Sequence, residues 1–395
     1  MLKESGEILK NTISQKDISF LMFCASVFLL PFSINISTLT FILAIIFKFI
    51  QAGLKRNKFF ESKALKHSSI IGIVFFGYIF LNTIIQTSFE QTINVFEKQF
   101  SHWTLLFLTP ILLRGKRENK LILAAFFSGT ILAVLYVLSI AIINKITFDK
   151  YAFLNLLELH HTYLSMYLLV FVNYCFVQLI IRKRAIKNSI GMSLVIAVLL
   201  SLAVMYFLNS KVAMIIFLLV FLIHSIPELT KKHKWIYALI LVFILTIITV
   251  FNNKVNVNYE RALDFRLQVW EMSLNVFEES PFFGNSTKSE KDLLNYKHFV
   301  KGKYQFVDSD LNSHNQYLSI LMKYGVLGFV ILAFFAINIF NKTNKRTSKK
   351  IIREFMGFMA IMLMIFYIEN LLDRHHGIVF CTLFYNYYLI AIENE

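Results

Sequence analysis

Residues 308–328, DSDLNSHNQYLSILMKYGVLG, decide how this chain reads. A loop of Asp, Ser and Asn gives way at His314 to an apolar run that continues to about residue 340. A run of that length is a helix able to cross the hydrocarbon core, which needs about 20 apolar residues. Asp310, Asn312 or Ser313 is placed to cap it. His314 is therefore expected in or beside the first turn, at a membrane interface. The positive end of a helix disfavours a further positive charge and leaves an imidazole able to accept a proton. The alternative for His314 is an interfacial ring bonded to a neighbouring loop.

The rest of the chain extends the same pattern. Of its 395 residues 57% are hydrophobic and 16% charged. Soluble domains carry about 25% charged residues, so there are too few here to coat a globule. Apolar runs recur at roughly 18–34, 36–53, 68–86, 100–113, 120–143, 161–181, 189–208, 211–226, 234–251, 314–340, 351–370 and 375–391. In lipid every backbone polar group needs an internal partner, so each run is expected to be a helix. The expected class is an all-α polytopic membrane protein with about 12 transmembrane helices. No cleavage site follows the first apolar run, so a cleaved signal peptide is not expected.

The formal net charge of +16 is mainly a topology signal. With the N-terminus inside, segments 1–17, 51–67, 114–120, 182–188, 224–234 and 341–353 hold 25 of the 40 Lys and Arg residues. The short connections on the other side are poor in both. This alternation satisfies the positive-inside rule and places both termini in the cytoplasm. Contact with anionic membrane lipid accounts for the basic excess without nucleic acid. Cys24, Cys175 and Cys381 all fall in apolar runs and read as small buried hydrophobes.

One connection is long. The chain divides into residues 1–251 with nine spans, an external loop over 252–313, and residues 314–395 with three spans. The loop carries eight Lys/Arg against nine Asp/Glu and many aromatic side chains, so it is not expected to be disordered. Within it, 259–280 has an apolar stripe at helical spacing. Pro281 ends that helix and Gly284 permits the turn after it. Such a helix lies on the membrane surface or caps the bundle.

Several ionisable residues map to the outer side with His314. Arg266 sits on the stripe of the loop helix, where its donor fork suits a diphosphate; a bond to Asp264 or snorkelling is the bland alternative. Arg261 is a weaker candidate of the same kind. Lys211 opens the eighth run, and His160, His161 and Tyr163 open the sixth. Glu369 and Arg374 flank the last external connection and are also placed to pair with each other. Trp270, Asn315 and Tyr317 neighbour Arg266 or His314 in sequence and complete the pocket candidates. Lys323 is open to a transport role or to pairing with Glu369. No HExxH, no His pair at i, i+4 and no Cys near a His argue for a metal. No Walker A loop, GxGxxG or GxSxG argues for a nucleotide or a serine nucleophile. No metal and no cofactor are expected.

The ordered set of motifs resembles the O-antigen ligase and O-antigen polymerase superfamily. The residues that carry the resemblance are Arg266 and Trp270, Pro281 and Gly284, His314 to Leu318, and Gly325 with Gly328. Ser210-Lys211-Val212-Ala213, HHTYLSMYL (160–168) and ENLLDRHHG (369–377) are similar to further segments of that family. Lys211 stands where Arg is usual, and Lys323 where an acid is more frequent. The resemblance implies a glycosyltransferase of GT-C type in a bacterial inner membrane, metal-independent and inverting. Its donor would be a glycan on undecaprenyl diphosphate. Its acceptor would be lipid A-core sugar for a ligase, or another lipid-linked glycan for a polymerase. His314 would be the catalytic base, and Arg266, Lys211 and Arg261 would hold the diphosphate. A flippase or other transporter is the alternative from another class. It calls for repeats and midplane charges, whereas the charges here gather at one face.

Overall fold

The computed structural model describes residues 17–55, 59–115, 118–181, 188–228, 258–307, 311–342 and 347–393. The ninth expected span, 234–251, and Asp310 lie outside them. The described residues are helical and contain no strand. In chain order the α-helices are α1 (Ile18–Leu29), α2 (Ile34–Lys55), α3 (Lys63–Gln86), α4 (Phe89–Val95), α5 (Leu105–Leu112), α6 (Asn119–Ile143), α7 (Lys150–Leu157), α8 (His161–Phe176), α9 (Ser189–Phe207), α10 (Lys211–Ser225), α11 (Asn258–Glu279), α12 (Glu290–Val300), α13 (Gln316–Lys342), α14 (Lys349–Ile368) and α15 (His375–Glu393).

Each expected span among the described residues contains a helix, but they differ in reach. Seven are long and apolar enough to cross a membrane: α2, α3, α6, α8 with its extension to Ile181, α9, α13 and α14. Three apolar helices are shorter, over Ile18–Leu29, Ser101–Leu112 and Lys211–Ser225, and α15, over the twelfth run, falls in neither group, so about 12 expected spans stand against seven among the described residues. The segment before α5 is a π turn and then a 3₁₀ turn, and Pro110 sits inside α5. The fourth expected span is thus a single short apolar helix, Ser101–Leu112, with a 3₁₀ first turn and a proline near its end. These helices and the apolar composition are those of an integral membrane protein.

The bundle is built around α8. Of its apolar window 72% is buried, against 22% for α9, so α8 is central and α9 peripheral. Phe126, Tyr167, Phe380 and Phe384 interlock beside it, with ring centroids 4.9 Å apart for Phe126–Phe384 and 5.1 Å for Phe126–Tyr167. Edge-to-face aromatic pairs contribute about 0.5–1.5 kcal/mol beyond area burial, and this cluster joins α6, α8 and α15. Outer faces such as Ile36, Leu39, Ile42, Ile46 and Phe49 on α2 stay exposed, as a lipid-facing surface would. Close backbone approach does the rest: a Cβ on Gly72 would meet the backbone of Leu106 and Phe107 at 2.9 Å. Small residues at such contacts are how membrane helices pack without a hydrophobic drive between them.

The described part of the long connection, residues 258–307, is folded. Helix α11 covers the expected 259–280, and α12 is a second helix within it. Val269, Met272 and Val276 of α11 and Leu293 and Leu294 of α12 form a small core with Met322 of α13. The loop helix thus packs on the top of α13 as a cap.

Candidate active site

Two pieces of strained backbone place the residues of the site. The first is a lock between the turn after α11 and α13. Gly284 has φ +70° and Gly325, inside α13, has φ +63°. The helix is broken at Gly325, and the turn fills the break. Val326 N donates to Pro281 O at 2.8 Å, Leu327 N to Phe282 O at 3.2 Å, and Asn285 N to Met322 O at 2.9 Å. Tyr78 and Asn82 of α3 donate to the same turn and break, at Tyr324 O (2.7 Å) and Phe283 O (2.8 Å). Groups orphaned by the break are therefore satisfied. A Cβ on Gly325 would strike Phe282 O, and one on Gly284 would lie 2.5 Å from Gly325 N.

The second is the loop Ser313–Asn315. Helix α13 begins at Gln316, and its cap is Asn315, whose Oδ1 accepts from Tyr317 N at 3.0 Å and Leu318 N at 3.2 Å. The cap is therefore neither Asn312 nor Ser313. His314 sits two residues before the helix with φ +44°. A left-handed conformation costs a non-glycine residue about 1–2 kcal/mol. The neighbouring amides repay it. Ser313 N donates to Glu290 Oε1 at 2.6 Å, His314 N to Asn312 Oδ1 at 3.2 Å and Asn315 N to Asn370 Oδ1 at 2.7 Å. At about 0.5–1.5 kcal/mol net each, three such bonds are of the size needed to offset the strain. Trp270 Nε1 donates to Ser313 O at 2.8 Å, so α11 also grips this loop.

The histidine ring faces a cavity of about 340 Å³, at the lower end of the usual ligand-pocket range. Its walls come from α8, α10, α11, α14 and the His314 loop. They include His160, His161, Lys211, Arg266, His314 and Glu369. Side chains from five separate parts of the chain thus meet in one concavity. It carries two permanent cations, three imidazoles and one carboxylate, a balance that favours an anion. Asn209, with φ +53°, and Ser210 bring Lys211 to the rim at the start of α10. Arg266 is exposed on the cavity side of α11. It makes no ion pair with Asp264 or any other described residue.

Glu369 ends α14, and its Oε2 lies 3.6 Å from His314 Nδ1, slightly long for a hydrogen bond and close enough for an ion pair. Burial acts to raise the Glu369 carboxyl. His314, and more weakly His160 and Arg374, outweigh burial and hold it below its ordinary value. Glu369 is thus ionised at neutral pH, and it faces His314 rather than Arg374 or Lys323. Lys323 instead bonds Asp373 Oδ1 at 2.6 Å. Burial acts to raise the Asp373 carboxyl, and Lys323 holds it below its ordinary value.

The other candidates are placed nearby but not on the cavity wall. Tyr163 is buried against the His376 ring at 5.4 Å. Trp270 and Asn315 hold the His314 loop. Tyr317 turns away, its hydroxyl donating to Leu363 O at 3.1 Å. Arg374 is exposed and acts on Glu369 only through charge. The Arg261 side chain lies outside the described residues. Sequence reading missed Glu290, Ser313 as a bonding residue, and Asn370. Asn370 follows Glu369 within ENLLDRHHG, so it was within reach. Glu290 reads as an ordinary acidic residue in a helix's first turn, and nothing in its spacing singles it out.

Residues 196–333 match the family model described as O-antigen ligase. The matched stretch runs from α9 into α13 and holds Lys211, Arg266, Trp270, the Pro281–Gly284 turn, His314 and Gly325. His160, His161, Glu369 and Asn370 lie outside it. Among curated proteins none matches the chain.

Proposed function

From the O-antigen ligase family relationship carried by residues 196–333, we propose that this chain transfers a glycan from undecaprenyl diphosphate to an acceptor sugar hydroxyl, lipid A-core in the ligase reading. The observation that carries the reading is the convergence of His314, Glu369, Arg266 and Lys211 on one cavity. The fold is of GT-C type, the membrane is the bacterial inner membrane, and the cavity opens to the periplasm, with both termini cytoplasmic. In that arrangement residues 1–251 and 314–395 form the membrane body and 252–313 the periplasmic loop.

In the reaction the acceptor oxygen attacks the anomeric carbon of the donor as the bond from that carbon to the phosphate oxygen breaks. Configuration inverts, and polyprenyl diphosphate leaves. The acceptor proton passes to His314 Nε2. With Glu369 at Nδ1, the ring presents Nε2 as the base, and the carboxylate stabilises the imidazolium that forms. Arg266 and Lys211, joined by Arg261, bind the diphosphate and neutralise the charge that grows on it. Such preorganised charge is often the largest catalytic contribution. A diphosphate so stabilised leaves without help from a nucleotide or a metal ion.

The test is complementation of a deletion strain with the wild-type chain or His314→Ala, matched for abundance in the membrane. General-base catalysis contributes about 10²–10⁴-fold, so surface glycan from His314→Ala should fall at least that far. Normal glycan output would overturn the role of His314. The deletion strain itself separates the two activities of the superfamily. Loss of all lipid-A-linked chains with accumulation of donor marks a ligase, and attachment of single repeat units marks a polymerase.

A further inference from the structure

We infer that Glu290 and Asn370 are positioning residues for the reaction, forming with Trp270 a clamp that fixes the left-handed backbone of His314. The inference rests on His314 being the base. The two backbone N–H groups that flank His314 are held by one connected pair of side chains. Glu290 Oε1 accepts from Ser313 N at 2.6 Å, and its Oε2 accepts from Asn370 Nδ2 at 2.7 Å. Asn370 Oδ1 in turn accepts from Asn315 N at 2.7 Å. The Ser313 carbonyl, between them, accepts from Trp270. Glu290, Asn370, Ser313 and Asn315 are all buried.

Such a network has a purpose that packing alone does not explain. Glu290 opens α12 in the loop, Asn370 follows α14, and Trp270 lies on α11. Three separate helical elements are thus tied to Ser313 and Asn315, the two residues on either side of His314. Asn370 also adjoins Glu369, so the bond that fixes the His314 backbone fixes the carboxylate facing its ring. The clamp sets the His314–Glu369 separation by holding both partners through one amide side chain. Displacing a reacting group by about 1 Å costs up to about 100-fold in rate, which is the lever the clamp controls.

The geometry supplies a rescue. Glu290→Gln presents an amide to Asn370 Nδ2 and loses that bond. Asn370→Asp presents a second carboxyl to Glu290 and loses the same one, together with the longer contact from Asn370 Nδ2 to Asp373 Oδ2 at 3.5 Å. The double variant restores the bond between positions 290 and 370 with reversed polarity: Gln Nε2 donates to the Asp carboxylate, and both flanking amides keep their acceptors, while the contact to Asp373 stays lost. Purified, folded full-length protein is assayed with an undecaprenyl-diphosphate-linked oligosaccharide donor and a lipid A-core acceptor, following release of undecaprenyl diphosphate. Each single variant is expected to lower kcat about 10–100-fold with donor KM within about twofold, and the double variant to exceed both single variants in kcat. In a His314→Ala background the same changes should have no further effect.

Single variants with wild-type kcat, a double variant without recovery, or an undiminished effect in the His314→Ala background would each overturn the clamp. If a single variant does not fold, Trp270→Phe removes the bond to Ser313 O and answers the same question by the same kcat and KM readout. Full activity of His314→Ala would overturn the base assignment itself. Loss in His314→Ala with normal Glu290→Gln and Asn370→Asp would overturn the clamp alone.

Discussion

A left-handed histidine and an arginine without an ion-pair partner among the described residues carry most of the chemistry proposed for this chain. Both sit where local rules alone do not hold them: His314 at φ +44°, and Arg266 exposed over a cavity that also holds Lys211. Arginine has a planar fork that matches two phosphate oxygens, and charge-assisted bonds of that kind are worth about 1.5–3 kcal/mol each. Arg266→Ala is therefore expected to raise donor KM about 10–100-fold with acceptor KM unchanged. Arg266→Lys should fall between, since it keeps charge and loses the fork. Steady-state kinetics with donor and acceptor varied in turn decide this, and an equal loss for both substrates would assign Arg266 to folding instead. At this scale the candidates were legible because lone cations and histidines stand out in apolar sequence. Their partners were not. Glu369 was as free to pair with Arg374 or Lys323 by sequence as with His314, because each choice needs a fold to bring the groups within a few ångströms.

Helix α13 is the element on which the site turns. Its apolar run reads as one continuous span, yet it is broken at Gly325 by the turn from Pro281 to Gly284. The glycines were visible; the reason for them was not, because the atoms that Gly325 must admit come from about 40 residues upstream. The need for glycine gives a direct test. Gly325→Ala places a Cβ against Phe282 O in a φ region that alanine avoids, and should destabilise the protein by about 2 kcal/mol or more. A thermal unfolding midpoint equal to that of the wild type would show that the break does not depend on glycine. Helices α11 and α12 teach the complementary lesson. The stripe on α11 was readable as a period. Its role as a cap on α13 depends on Met322 meeting Val269, Met272 and Val276, which no period encodes.

At the scale of the whole molecule, the first turns of α13 and the connection between α14 and α15 are tied together by buried polar bonds. Lys323 Nζ meets Asp373 at 2.6 Å, Ser319 Oγ meets its second oxygen at 2.9 Å, and Gln316 Oε1 accepts Leu372 N at 2.5 Å. Breaking a buried ion pair by removing one partner costs about 3–5 kcal/mol because the other charge stays behind. Asp373→Asn should lose about that much, less some relief because Asp373 is 20% exposed. The carboxyl is held below its ordinary 3.8 in the folded protein. Its contribution is therefore complete above that value and is lost as pH falls through the lowered one. The gap in unfolding midpoint between wild type and Asp373→Asn should be constant from about pH 5 to 8 and close in more acid solution. A gap that does not change with pH would remove the ion pair as its cause.

The sequence by itself determined the membrane class, the position of most helices and the ionisable candidates from which the cavity draws its charged lining. These depend on apolar run length, period and charge asymmetry, which are local quantities that lipid reads directly. The tertiary structure decided which of those residues share a cavity, that Glu369 faces His314, and how the backbone of His314 is held. Those are contacts between segments tens to hundreds of residues apart, and their geometry exists only once the helices have packed.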